Sequence, residues 1–199
     1  MNYTVSIYVA APGTKLADGT VSEVGHIWYE VSDGQKTNAF GFALTHDDNG
    51  MPFGKGKVNG HGSDTTFYTD YVYKRTLEVT PYQYDKMLAF GKEHERNTLS
   101  HTDNINSGYG GFSSDKYNGF TNACVDFTYI ALKQADLVPK YISMKEGNLK
   151  PTQNIGLLDM IEVPYPNSPL NRVERHPYPK QSFIQQLFSE NEVVSTPKI

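Results

Sequence analysis

Cysteine is almost absent from this sequence: Cys124 is the only one among 199 residues. A single cysteine excludes an intramolecular disulfide framework and a zinc site built from several thiolates. Clusters of lysine and arginine are also absent, and a net charge of -4 provides no cationic surface for a nucleic acid backbone. No apolar run approaches the length of a membrane span. These absences leave a folded chain of one main domain with a lone thiol.

The first 13 residues have neither a basic segment nor an apolar stretch as long as that of a secretory signal. We therefore expect the chain to be made in the cytoplasm. Action outside the cell would require delivery that does not use a cleaved signal.

Alternating apolar residues predict an antiparallel sheet in the first half of the chain. The segments with this period are 4–10, 21–31, 37–44 and 68–79, with a turn at 32–35. The segments 45–64 and 97–122 are rich in glycine and polar residues, which predicts two long loops. One helix is expected to begin at Thr80 and Pro81, which suit the N-cap and first helical positions, and another to cover 123–135. The expected fold class is α+β.

The hairpin formed by the second and third predicted strands has two unlike faces. In the expected register the large apolar residues share the core face, and the other face carries His26 and Trp28. Their neighbours on the partner strand are all small: Ala39, Gly41 and Ala43. This arrangement predicts open space beside an imidazole, as in the wall of a cleft.

Proline density divides the chain into two parts. Seven of the eleven prolines lie between Pro139 and Pro179, a density that opposes regular structure. We expect a main domain over 1–139 and an irregular extension over 140–199 that belongs to the same compact unit. A short apolar helix at 181–189 should dock on the domain or on a partner.

Cys124 is predicted to lie in the first turn of its helix, because Thr121 and Asn122 are good N-cap residues. The helix dipole and free backbone N–H groups there stabilise a thiolate. The Cys124 N–H and the Asn122 side chain are candidate donors to a carbonyl oxygen, which would suit attack on an amide or ester. Spacing alone favours a packed core thiol, since Cys124 shares a stripe with Phe127. Asp126 lies about 200° around the helix and should be structural.

Three segments together resemble one family of hydrolases. They are Gly25-His26-Ile27-Trp28-Tyr29-Glu30-Val31, Phe40-Gly41-Phe42 and Asn122-Ala123-Cys124-Val125-Asp126-Phe127. Over residues 20 to 135 the chain resembles the circularly permuted NlpC-type branch of the papain-like cysteine hydrolases. In that branch the histidine strand precedes the nucleophile helix, which is the order found here.

The resemblance implies a papain-like core, in which a small antiparallel sheet packs against the nucleophile helix. Cys124 would be the nucleophile and His26 the general base and acid, with the Cys124 backbone N–H in the oxyanion hole. A third polar residue should orient the imidazole. The partner strand offers only small residues beside His26, so we choose Asp70 on the next strand, with His46 and Asp64 as alternatives.

The resemblance also implies a substrate and a setting. Similar bacterial proteins include amidases of cell-wall peptides and antibacterial toxins delivered as type VI secretion effectors. The expected function is cleavage of an amide bond in peptidoglycan peptides, in the periplasm of a target bacterium. Trp28 and the loop around Tyr109 would line the groove. Expected partners are the peptidoglycan peptide, a carrier from the secretion apparatus and an immunity protein.

Two other functions remain open at this point. The same dyad would serve an acyltransferase or thioesterase acting on lipid esters. With 14 Tyr and 10 Phe, the chain would also suit a non-catalytic binding module in which the thiol is core filler.

No cofactor or metal is expected. The six histidines include no H-E-x-x-H, residues 47–50 lack the register of a calcium loop, and residues 54–57 lack the spacing of a phosphate loop.

Overall fold

A computed structural model describes residues 2–45, 53–59, 63–100, 116–139 and 150–179. These residues form an α+β fold on a seven-stranded antiparallel sheet. Its strands are β1 (Tyr3–Ala10), β2 (His26–Ser32), β3 (Thr37–Leu44), β4 (Phe53–Val58), β5 (Tyr73–Val79), β6 (Lys116–Asn118) and β7 (Arg172–Arg175). The helices are α1 (Asp64–Phe67), α2 (Pro81–Ser100), α3 (Cys124–Gln134) and α4 (Ile155–Leu158), the last preceded by a 3-10 turn at Pro151–Asn154. The strand order is β6-β4-β3-β2-β1-β5-β7.

The predicted hairpin between β2 and β3 is confirmed in its register. Tyr29 lies opposite Phe40, and Trp28 lies opposite Gly41. Because side chains alternate along a strand, Tyr29 and Phe40 share the core face, and both are fully buried. The face that carries His26 is therefore the opposite one, as expected.

The interior strand β1 is covered on both faces. Its side chains Val5, Ile7 and Val9 belong to the main core, which α2 and α3 close. On the other face, Tyr8 and Trp28 form a smaller cluster with Tyr68 and Tyr71 packed against it. The sheet thus separates two apolar layers of unequal size.

Local sequence signals set the two long helices. Thr80 caps α2, since its hydroxyl accepts the Gln83 N–H at 3.2 Å and its own N–H donates to the Gln83 side chain at 2.9 Å. This reciprocal pair satisfies donors that a helix start leaves unpaired. Phe127 of α3 packs against Phe90 of α2, with ring centroids 5.1 Å apart. No helix within the described ranges is long and apolar enough to cross a membrane.

Two predicted loops contain strands. The segment 45–64 includes β4, and the segment 97–122 includes β6. The glycines of β4 concealed it, because glycine has a low strand propensity. In the fold, Gly56 is required by packing, since a Cβ at this position would overlap the ring of Phe42.

The proline-rich extension is more regular than expected. Its described part, residues 150–179, contains the 3-10 turn, α4 and β7, and β7 pairs with β5. The buried guanidinium of Arg75 donates to the carbonyls of Leu158 and Ile161, which ties this segment to the sheet. The helix expected at 181–189 lies outside the described residues.

A buried histidine on α2 provides a test of this core. His94 is 1% exposed, its ring lies 4.4 Å from that of Phe90, and burial lowers the pKa of His94 to about 4. In the unfolded chain the His94 imidazole has its ordinary pKa of about 6.5. Burial of the neutral imidazole therefore costs no stability above this pH, and it lowers the free energy of unfolding as the pH falls from about 6.5 towards 4. We expect this group to account for up to about 3 kcal/mol of acid destabilisation.

The measurement is urea unfolding of the wild type and of His94→Phe at pH 7, 5.5 and 4. As the pH falls from 7 to 4, the unfolding free energy of the wild type should decrease more than that of His94→Phe. An equal decrease in the two proteins would contradict the lowered pKa of His94.

Candidate active site

His26 is held at the start of β2 by backbone geometry. Gly25 has a φ of +80°, a conformation that side chains disfavour, and a Cβ there would lie 2.5 Å from the Ala10 carbonyl oxygen. The close approach lets His26 pair with Ala10 on β1. The imidazole is 3% exposed and stacks on Tyr68, with centroids 4.8 Å apart and planes 12° from parallel.

Cys124 is the first residue of α3, as the sequence predicted. The cap differs from the prediction: Ala123 occupies the N-cap position, and its N–H donates to the Asp126 carboxylate at 2.9 Å. Asp126 is therefore structural. At the first helical position, the N–H of Cys124 has no partner within the helix. The residue is 4% exposed.

The structure brings Cys124 and His26 together. The Cys124 thiol lies beside the imidazole of His26 and the hydroxyl of Tyr117 on β6, and it raises the pKa of both groups. Burial and the neighbouring sulfur raise the pKa of Tyr117 far above its usual value, so its hydroxyl remains a donor. The sulfur thus contacts two polar groups at the edge of an otherwise apolar core.

Asp64, the first residue of α1, completes the group. Its Oδ2 lies 3.3 Å from Nε2 of His26, and both side chains are almost fully buried. The approach depends on Gly41 of β3, because a Cβ at this position would overlap the Asp64 carboxylate and lie 2.8 Å from His26 Nε2. The space that we expected to be open beside the imidazole is therefore filled by a carboxylate.

Asp70 does not occupy the orienting position that we assigned to it. Its side chain is 63% exposed and lies 3.7 Å from Nδ1 of His176. The strand predicted from residue 68 begins only at Tyr73, so Asp70 belongs to the connecting segment. The alternative Asp64 lies at the imidazole instead, and His46 lies outside the described residues.

Trp28 lies behind the imidazole rather than on a cleft wall. It is 1% exposed, and its ring stacks on Tyr8 and Tyr68 at centroid distances of 5.0 and 5.1 Å. Its Nε1 donates to Thr65 Oγ1 at 2.9 Å. Its burial and its bond to α1 suit support of the site better than contact with a substrate.

Asn122, expected as a donor to a substrate carbonyl, forms a structural bond. Its side-chain amide donates to the backbone carbonyl of Lys116, which ties β6 to the turn before α3. Tyr109, expected in the groove wall, lies outside the described residues.

The neighbours of His26 favour its charged form. Burial alone lowers the pKa of His26, but Tyr68, the Asp64 carboxylate and the Cys124 thiol together raise it well above its usual value. An imidazolium that contacts a sulfur stabilises a thiolate. Within the described ranges, no group of three His, Cys, Asp or Glu side chains is placed to hold a metal ion.

Two tyrosines of the site escaped sequence reasoning. Tyr68 was only the first residue of a predicted strand, and Tyr117 lay within the predicted loop 97–122. No local pattern distinguishes them among 14 tyrosines. Only packing identifies them, Tyr68 by its ring on His26 and Tyr117 by its hydroxyl on Cys124.

The dependence of the buried pair on Gly41 leads to a prediction. Gly41→Ala should lower the unfolding free energy by about 1–3 kcal/mol, because the added methyl group meets both Asp64 and His26. The control is Gly156→Ala, where a Cβ would meet no atom within 4 Å and a helical alanine stabilises by up to about 1 kcal/mol. Urea unfolding at pH 7 measures both, and an unchanged stability of Gly41→Ala would contradict the prediction.

No family model, curated protein or solved structure matches this chain.

Proposed function

We propose that this chain is a cysteine hydrolase with Cys124 as nucleophile, His26 as general base and acid, and Asp64 as the residue that orients the imidazole. The observation that carries the proposal is the contact of a helix-start thiol with an imidazole whose Nε2 faces a buried carboxylate. Such a chain of nucleophile, base and orienting acid suits attack on a carbonyl carbon.

The side chains have defined parts in the reaction. Since Nε2 of His26 faces Asp64, Nδ1 is the nitrogen that accepts the thiol proton. The Cys124 thiolate attacks the carbonyl carbon of an amide, and the imidazolium then protonates the leaving nitrogen as the C–N bond breaks. Water, deprotonated by His26, attacks the resulting thioester. The C–S bond breaks, a carboxylic acid leaves and the thiolate is regenerated.

The negative oxygen formed during attack requires donors. The Cys124 N–H is the first, because its helix position leaves it without an internal partner. The Tyr117 hydroxyl, which lies beside the sulfur, is the second. Donors aimed at the developing charge contribute much of the rate in such sites.

The proposed fold is the papain-like arrangement in permuted order, with the histidine strand β2 ahead of the nucleophile helix α3. The sequence resemblance over residues 20 to 135 supports peptidoglycan peptides as substrate. It likewise supports a secreted antibacterial effector that acts in the periplasm of a target bacterium. A secretion carrier and an immunity protein are then its partners.

A second candidate is a non-catalytic protein with a structural thiol. The observation that favours it is the 4% exposure of Cys124 within the main core cluster. The polar contacts to His26 and Tyr117 favour the hydrolase, because a filler thiol needs only apolar neighbours.

Removing the sulfur tests the proposal directly. Cys124→Ala should reduce cleavage of purified wall fragments by at least about 1000-fold, since the covalent step is lost. The control is Val125→Ala, which shortens the next side chain of the same helix and should retain cleavage. Mass spectrometry of the products separates hydrolysed amides from transferred acyl chains, and full activity of Cys124→Ala would refute the nucleophile.

Alkylation separates the hydrolase from the structural thiol. The wild-type thiol should react readily with iodoacetamide near neutral pH. Resistance to the reagent, together with no cleavage of any wall fragment, would establish the structural thiol.

The orienting residue has a signature in the pH profile. Asp64 raises the pKa of His26, so Asp64→Asn should lower it, and the imidazolium that protonates the leaving group will be lost at a lower pH. The alkaline limb of the cleavage profile should therefore move to lower pH.

Asp70→Asn is the matched control, because it makes the same change at an exposed carboxylate. Its profile should coincide with that of the wild type. If instead Asp70→Asn moved the alkaline limb and Asp64→Asn did not, the orienting role would belong to Asp70.

A further inference from the structure

The helix that carries Asp64 cannot hold its own position. α1 has four residues, and its N-cap residue Ser63 provides no side-chain cap. Helices this short are not stable by themselves, because the cost of the first turn is not recovered. Contacts with the rest of the fold must therefore set the 3.3 Å separation between Asp64 and His26.

Thr65, the residue after Asp64, makes a second polar side-chain contact between α1 and the centre of the sheet. Its hydroxyl donates to Glu30 Oε1 at 2.7 Å and accepts the Trp28 Nε1–H at 2.9 Å. The second carboxylate oxygen of Glu30 accepts the Tyr8 hydroxyl at 2.6 Å. The direction of the Thr65 hydroxyl is fixed, because both its donor and an acceptor position are occupied.

The polar side-chain contacts of α1 with β2 lie along one face of that strand. His26, Trp28 and Glu30 alternate on the same side of β2, and Asp64 and Thr65 are consecutive in α1. At the other end of α1, the Phe67 carbonyl accepts the Ala17 N–H at 2.8 Å. The side-chain contacts of Asp64 with His26 and of Thr65 with Glu30 then set how the start of the helix faces β2.

We propose that Thr65, bound between Glu30 and Trp28, is a positioning residue that holds the Asp64 carboxylate against His26. This inference rests on the proposed function, in which Asp64 orients the imidazole. It adds a residue that touches neither the thiol nor a substrate, and it assigns the partly buried polar group of Glu30, Thr65, Trp28 and Tyr8 to the site.

The substitution that isolates this role leaves every charge in place. The groups that face His26 are Asp64 of α1, Tyr68 after α1, and Cys124 of α3. Glu30 is itself charged, so its removal would alter the local field as well as the position of the helix. Thr65→Val has nearly the same shape and removes only the hydroxyl.

The experiment measures the titration of His26 by NMR in isotope-labelled protein, together with cleavage of wall fragments. Thr65→Val should shift the His26 titration to lower pH, towards that of Asp64→Asn, and reduce kcat by about 10-fold to 100-fold. Thr65→Ser, which keeps the hydroxyl, should restore both. Thr65→Ala provides the same hydroxyl deletion if the valine variant does not fold.

Thr66→Val is the matched control. It makes the same change on the next residue, whose exposed hydroxyl donates only to the Ser63 carbonyl of its own turn. Both its titration and its cleavage should match the wild type.

The outcomes separate the two proposals. A wild-type His26 titration in Thr65→Val, beside a shifted one in Asp64→Asn, would overturn the positioning role while leaving the hydrolase intact. If the His26 titration does not shift in Asp64→Asn, both the orienting role of Asp64 and the positioning role of Thr65 are overturned. A shift in Thr65→Val, with no wall fragment cleaved by the wild type, would support the positioning role and refute the proposed activity.

Discussion

The contact between the buried side chains of His26 and Asp64 is the constraint on which the site depends. Taking two ionisable groups out of water costs several kcal/mol, and their attraction offsets this cost only when the geometry is good. That geometry requires a strand position without a side chain, which Gly41 supplies, and a short helix held in place from outside. Removal of one member would leave the other buried without its partner, so these features depend on one another.

The site forms where the two layers of the fold meet. Cys124 belongs to α3, whose apolar side chains close the main core against one face of the sheet. Asp64 and Tyr68 come from the segment that lies on the opposite face, beside the smaller aromatic cluster. His26 stands at the first position of β2, where the imidazole reaches both. Neither layer alone contains Cys124, His26 and Asp64. Because each comes from a different element, they are far apart in the sequence.

Local patterns predicted much of the fold and half of the site. The hairpin register and the cap at Thr80 follow from periodicity and capping chemistry, which act over a few residues. The same patterns indicated His26 and Cys124, because each lies at the start of a regular element. Asp64 was only an alternative, since its position depends on a gap at Gly41 and on contacts made by its neighbour. β4 was missed because glycine has a low strand propensity, whereas Gly56 is required there by its packing against Phe42.

The burial of the site has a cost that argues for a function. A sequence selected only for stability would fill this space with hydrocarbon, since well-packed apolar residues often replace buried ion pairs without loss. Here an imidazole, a carboxylate, a thiol and a phenol hydroxyl lie together, and the threonine and glutamate that support the carboxylate's helix are themselves partly buried. Polar groups buried at such cost, with the pKa values of His26 and Tyr117 both strongly raised, are typical of a site that carries out chemistry. The Cys124 sulfur, the nucleophile of the proposed function, lies beside two of these polar groups, the imidazole and the phenol hydroxyl.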